Sequence, residues 1–304
     1  MIKSITVTNY LGDSIKLELA RPEKSGFIVR KVEGLGPGKA TLNMTEVSTN
    51  DGSLYNSSRL PSRNIIFSLG YLWKDSIEDV RQSSYKYFPI KKKVKLLIET
   101  DNRVAEIEGY VESNEPDIFS DNEGADISII CPNPFFYSAG KDGNNITVFS
   151  GYEPMFQFPF SNESLEECLL EVGAIHNTKD ECVVYDGDAE IGVTITIHAL
   201  GEASDITIYN LGTREMMRID TERMKSLTGQ GIIAGDDIVI CTVKGNKSVS
   251  LIRGGVKTNI LNCLNRDSDW FQLTKGDNVF TYTAASGGTN LQFKIENRVV
   301  YEGV

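Results

Sequence analysis

Apolar and polar residues alternate with a period of two in seven separate runs of this chain, and that alternation restricts it to sheet. The runs are Ile15–Leu17–Leu19, Ile65–Phe67–Leu69–Tyr71, Val94–Leu96–Ile98, Ala105–Ile107–Gly109–Val111, Val193–Ile195–Ile197–Ala199, Val279–Thr281–Thr283 and Leu291–Phe293–Ile295. Successive side chains of a strand point to opposite faces, so each run describes a strand with one buried and one solvated side. Clusters such as Asn50-Asp51-Gly52, Asp186-Gly187-Asp188 and Gly287-Gly288 separate them and supply turn chemistry. Short strands joined by turns form antiparallel sheet, and the fold class is mainly β.

One segment departs from this period. Asp75-Ser76-Ile77-Glu78-Asp79 offers a cap residue with a carboxylate three positions later, the pattern of a capping box. Ile77, Val80, Ser84 and Tyr87 then trace a helical face, and Phe88-Pro89 ends it. With 304 residues, about two domains are expected. The composition changes near residue 140, where the rigid aromatic segment Cys131–Tyr137 gives way to the polar cluster Gly140–Asn145. The expected division is 1–139 and 140–304. From Ile146 onward turns recur about every ten residues, as in a sandwich, and no helix is expected there.

Charge and composition narrow the function. Lys and Arg total 31 against 42 Asp and Glu, a net charge of −11, which argues against a surface that grips phosphate. Met1–Leu19 carries Lys3, Asp13, Lys16 and Glu18 and lacks the apolar centre of a signal peptide. The uncharged stretch Ile127–Gly140 is too short to span a bilayer and contains two prolines, so no membrane role is expected. The five cysteines, Cys131, Cys168, Cys182, Cys241 and Cys263, never fall at C-x-x-C spacing. They read as buried, reduced thiols of a chain folded in a reducing cytoplasm.

No catalytic constellation is visible. His198 lies in an alternating run opposite Ile195 and Ile197 and reads as a solvent-facing strand residue. The other histidine is His176, and no G-x-S-x-G, H-E-x-x-H or C-x-x-C motif supplies partners for hydrolysis or zinc binding. The Gly34–Ala40 loop is no phosphate cradle, because Glu33 stands where the first glycine is needed and Ala40 follows Lys39. Glu166-Glu167, Asp186/Asp188 and Asp236-Asp237 read as turn and surface charge, and Lys91-Lys92-Lys93 as protection of a strand edge. Trp270-Phe271 and Phe156–Phe158–Phe160 read as core; an exposed aromatic stacking on a sugar would instead make a carbohydrate-binding module. No enzyme, cofactor or metal is expected.

Four segments together resemble the distal tail protein family of long-tailed (siphovirus-type) bacteriophages. They are Gly34-Leu35-Gly36-Pro37-Gly38 leading through Asp51-Gly52-Ser53 to Arg59-Leu60-Pro61-Ser62-Arg63-Asn64-Ile65; the helix and strand followed by Arg103-Val104 and Gly109–Glu112; Ile127–Tyr137; and Trp270–Asn278. The resemblance implies an N-terminal split β-barrel belt domain with one helix, assembling as a homohexameric ring, and a C-terminal galectin-like β-sandwich projecting outward. It further implies a place at the virion tail tip, reached by assembly in the host cytoplasm. The implied partners are further copies of the chain, the tail tube protein, the tape measure protein, and tail-tip, tail-associated lysin or receptor-binding proteins. The resemblance also implies that DNA passes through the ring without specific binding. The sugar-binding cluster of galectins has no counterpart around His198, so the sandwich reads as a docking domain. Asp51, Gly52, Tyr55, Arg59 and Arg63 are the candidate residues of the ring interface.

Overall fold

A computed structural model describes residues 1–46, 51–72, 76–119, 122–140, 143–149, 151–153, 174–176 and 180–304. The chain forms two compact units, one of Met1–Gly143 with Val300–Val304, the other of Asn144–Val299. The backbone therefore passes from the front unit to the rear unit once and returns once.

The front unit contains strands β1 (Ile2–Thr8), β2 (Ser14–Glu18), β3 (Phe27–Glu33), β4 (Thr41–Glu46), β5 (Ser53–Arg59) and β6 (Arg63–Tyr71). After these come helix α1 (Ile77–Tyr87) and strands β7 (Lys93–Thr100), β8 (Val104–Asp117), β9 (Gly124–Cys131) and β10 (Phe136–Ser138). Its main sheet is antiparallel with the order β2-β1-β7-β8-β9-β6-β3, and β10 joins β8 to a short strand at Val300–Tyr301. The alternating runs become its inner face: Ile65, Phe67, Val94, Leu96, Ile98, Ile107, Ile127 and Ile129 are all buried in one cluster. Each such side chain contributes about 1.5–3 kcal/mol by leaving water.

Helix α1 lays Ile77, Val80 and Tyr87 on this core, with Ser84 fully buried between them. The Ser84 hydroxyl is satisfied by the Arg81 carbonyl at 2.7 Å. Its N-cap is Ser76, which makes no side-chain capping bond, and Asp75 lies outside the described residues. Phe88 ends the helix and packs its ring against Phe67. The lysine run does not guard an edge. Strand β7 has β1 on one side and β8 on the other, Lys93 reaches Glu108 at 2.7 Å, and Lys92 lies over the Tyr10 ring. Strand order is set by tertiary pairing, which local charge does not reveal.

In the rear unit, a six-stranded sheet runs in the order Asn144–Phe149, Leu291–Arg298, Thr194–Ala199, Asp237–Cys241, Ser248–Arg253 and Val256–Asn259. A four-stranded sheet follows Asp180–Tyr185, Gly276–Thr283, Thr207–Asn210 and Glu215–Arg218. Tyr282 of the smaller sheet stacks on Phe293 of the larger with ring centroids 4.0 Å apart, and Phe271 meets Phe280 edge to face. The first and last strands of this unit are neighbours, with Asn144 opposite Arg298.

The expectation of no helix after Ile146 is corrected by α2 (Thr221–Thr228). Asp220 caps it by accepting from the Arg223 N–H, and Gly229 ends it at φ +81°. Two turns are too short to display a 3.6-residue period, and only Thr221 and Met224 are buried. Among the described residues, no helix is long and apolar enough to cross a membrane.

Candidate functional site

Strands β4 and β5 form a hairpin that pairs with no other strand among the described residues, and all thirteen of its strand positions are exposed. Residues 47–50 of its tip lie outside the described residues. The register places Met44 opposite Tyr55 and Leu42 opposite Ser58, so Leu42, Met44 and Tyr55 share one face. Tyr55 donates its hydroxyl to Ser58 Oγ at 2.8 Å on that face. Thr41, Asn43, Thr45, Ser57 and Arg59 occupy the other face, with Leu54 beside them, and Asn56 donates to Thr45 Oγ1 there. One face of the arm thus carries Leu42, Met44 and Tyr55 together with Ser58, Ser53 and Glu46, and the other, Leu54 apart, is polar. An isolated two-stranded hairpin is marginal in water, and Leu42, Met44 and Tyr55 are each about half exposed or more.

Of the candidate residues, Asp51 and Gly52 sit in the exposed turn at the tip, and Tyr55 and Arg59 on β5. Arg63 lies apart from them, buried at the root of the arm and only 6% exposed. Its Nε donates to the Pro134 carbonyl at 2.7 Å, Nη1 to Gly34 at 2.7 Å and Gly36 at 2.5 Å, and Nη2 to Glu302 at 2.6 Å. The guanidinium also lies over the Phe136 ring, 4.7 Å from its centroid. Burial lowers its pKa from the ordinary value. Leu42 and Met44 were not among the residues singled out in the sequence, although they alternate with Asn43 and Thr45 in the strand manner.

The Gly34–Gly38 loop thus turns its carbonyl oxygens toward a cation. That polarity is the opposite of a phosphate cradle, which presents N–H groups. Gly34 takes φ +82°, and a Cβ there would stand 2.1 Å from the Asn64 carbonyl oxygen, so only glycine fits. Two of the segments that carry the family resemblance, 34–65 and 127–137, meet at this one guanidinium. The late segment has its own closure: Asn278 is 2% exposed, donates to the carbonyls of Thr274 and Gly276, and accepts from the Thr274 N–H.

In the rear unit, His198 Nδ1 lies 2.6 Å from Asp237 Oδ1, and both side chains are partly exposed. The other cross-strand neighbour of His198 is Gln292. Asp236 is not surface charge. It is 1% exposed and held by Arg253, a pairing that needs the strands at 237–241 and 248–253 side by side. Asp186 and Asp188 are exposed. Phe271 is core, whereas Trp270 is half-buried with the Lys247 ammonium over its ring. Phe156, Phe158, Phe160, Glu166, Glu167 and Cys168 lie outside the described residues, as does the side chain of His176. Of the thiols, Cys131 and Cys263 are buried, Cys241 is half-buried, and Cys182 is exposed and free.

Residues 186–296 match the model of the siphovirus-type tail component, C-terminal domain. Among curated proteins, none matches the sequence. Among solved structures, the chain is similar to SPP1 Dit (gp 19.1), described as a paradigm of the hub adsorption apparatus in Gram-positive infecting phages. That likeness has a TM-score of 0.66 at 12% identity and covers 97% of this chain and 98% of the other. A chain of the phage P2 baseplate in its activated conformation with Ca aligns at a TM-score of 0.47 and 11% identity, over 98% of both chains. Residues 186–296 of the rear unit thus match the C-terminal domain of a siphovirus-type tail component, and the chain over 97% of its length shares the fold of SPP1 Dit.

Proposed function

We propose that this chain is the structural hub of a bacteriophage tail tip, built as a ring of six copies around an open channel. The observation that supports the reading most directly is the unpaired β4–β5 arm, on which Leu42, Met44 and Tyr55 stand exposed on one face with no covering strand among the described residues. In a cyclic assembly each copy offers one surface to a different surface of its neighbour. The arm is such a donor: laid on the adjacent front unit, it buries Leu42, Met44 and Tyr55. Asp51, Gly52 and Arg59 lie on the same arm, near its tip and on its polar face. In this reading the front unit, expected over residues 1–139 and joined by 300–304, forms the belt and the rear unit a docking domain. The tail tube protein binds one side of the ring, and the tape measure protein and the tip, lysin or receptor-binding proteins the other. DNA moves through the channel without being gripped, which suits a chain of net charge −11. The protein works in the virion after assembly in the host cytoplasm, and its role is mechanical, with no chemical step.

Light scattering and negative-stain microscopy of the purified chain test this reading. The expected result is a six-fold annulus that the triple variant Leu42→Ser, Met44→Ser, Tyr55→Ser converts to monomer. A chain that stays monomeric at micromolar concentration, alone and with tube and tip proteins added, would overturn it.

A further inference from the structure

Residues 300–304 follow the whole rear unit in the chain and yet fold within the front unit. We propose that they are a latch that sets the root of the β4–β5 arm. A protomer then presents its arm in assembly geometry only after the rear unit has been synthesised. The proposal rests on the ring reading for what the arm does, while the latch itself is a property of one protomer.

Both stems of the arm converge on the place where these residues dock. The incoming stem is the Gly34–Gly38 loop, and the outgoing one ends at Arg63. Val300 and Tyr301 pair with Tyr137 and Phe136 of β10. The Glu302 carbonyl accepts Arg63 Nη2, and the Val304 N–H donates to the Leu35 carbonyl at 3.1 Å. Gly303 lies so close to the loop that a Cβ would stand 3.0 Å from Gly36 C and Pro37 N. From outside, Arg103 covers the Tyr301 ring at 4.4 Å and reaches the Gly303 carbonyl at 3.5 Å. One guanidinium thus joins the incoming loop, the Pro134 segment and the returning residue Glu302. Before residues 300–304 arrive, Arg63 Nη2 lacks this acceptor and the loop lacks the packing of Gly303 and the bond from Val304. Leaving part of a buried cation unpaired is costly, so the loop and Arg63 stay unset.

Hydrogen–deuterium exchange on the full chain tests this, with Gly303→Val to wedge the latch open and Arg103→Gln to loosen it from the solvent side. Both variants are expected to exchange about tenfold faster at 34–40 and 59–63 as well as at 300–304, the factor that loss of one charge-assisted hydrogen bond brings. Exchange at 221–228 in the rear unit stays as in the parent. Should Gly303→Val fail to fold, Arg103→Gln carries the test. Release of 300–304 with unchanged exchange at 34–40 and 59–63 in the variant that folds would overturn the latch. A parent chain with both segments protected and coupled, but no ring, would support the latch and remove the ring reading.

Discussion

Arg253 grips Asp236 at both carboxylate oxygens, Nε to Oδ1 at 2.8 Å and Nη2 to Oδ2 at 2.6 Å. The carboxylate also accepts the Ile233 N–H, and Arg253 donates to the Gly231 carbonyl. The Asp236 carboxylate also raises the Arg253 pKa, chiefly by hydrogen bonding. A charge this deeply buried depends on its partner. Arg253→Met should therefore cost about 3 kcal/mol in urea unfolding, because it strands the carboxylate. The double variant with Asp236→Asn should cost less than the sum of the two single changes. Simple additivity would show that the pair is not coupled.

Burial pushes the Cys131 thiol up from 9.0 to about 11, with Arg63 pulling weakly the other way. Between those values the folded chain keeps a proton that the unfolded chain has lost. Stability from this group is therefore complete below pH 9 and falls by about 1.4 kcal/mol per pH unit up to pH 11. Unfolding titrations at pH 8, 9, 10 and 11 should show a slope that Cys131→Ala lessens by that amount. An unchanged slope in the variant contradicts the assignment.

Gly109 interrupts the apolar side of β8 because Cys131 and Ile129 of β9 occupy the space beside it. A Cβ there would lie 2.6 Å from Ile129 Cγ2 and 2.8 Å from Cys131 Sγ. Gly109→Ala should lower stability by about 1–3 kcal/mol through overpacking. Adding Cys131→Ala removes one of the two obstructing atoms and should return part of that loss in a thermal melt.

Native-state alkylation with iodoacetamide at pH 8 should modify Cys182 well before Cys131 or Cys263. Cys182 is exposed on its strand, and the other two are 1% exposed or less. Peptide mapping reads the order directly. Early labelling of Cys131 would mean that the front core opens readily.

The alternating runs at 65–71, 94–98, 105–111, 193–199 and 291–295 became strands because period two survives any tertiary arrangement. The α1 face was equally legible, since Ile77, Val80, Ser84 and Tyr87 meet one core. Pairings between distant segments were not legible. Nothing local in Asp236-Asp237 says that Arg253 will fold against one and His198 against the other. The place of β7 inside the sheet and the destination of the Arg63 side chain are non-local in the same way. Helix α2 had visible signals in Asp220 and Gly229, but eight residues give too little period to weigh against a strand-rich background. At the arm, the Asp51–Arg63 segment stood out in the sequence by its Gly, Ser, Tyr and two arginines. Leu42 and Met44 carry no local signal of their exposure, which follows from the hairpin pairing with no other strand among the described residues.

The rear unit enters at Asn144 and leaves at Val299, and its flanking strands run side by side with Asn144 opposite Arg298. Topologically it is a cartridge plugged into a host fold through two adjacent pins. Such an insert can be exchanged for another with similarly spaced ends while the host keeps its sheet intact. A short Gly-Ser bridge from Gly143 to Val300 would in the same way close the host fold on itself. What those two pins carry can thus change while the front sheet keeps its pairings.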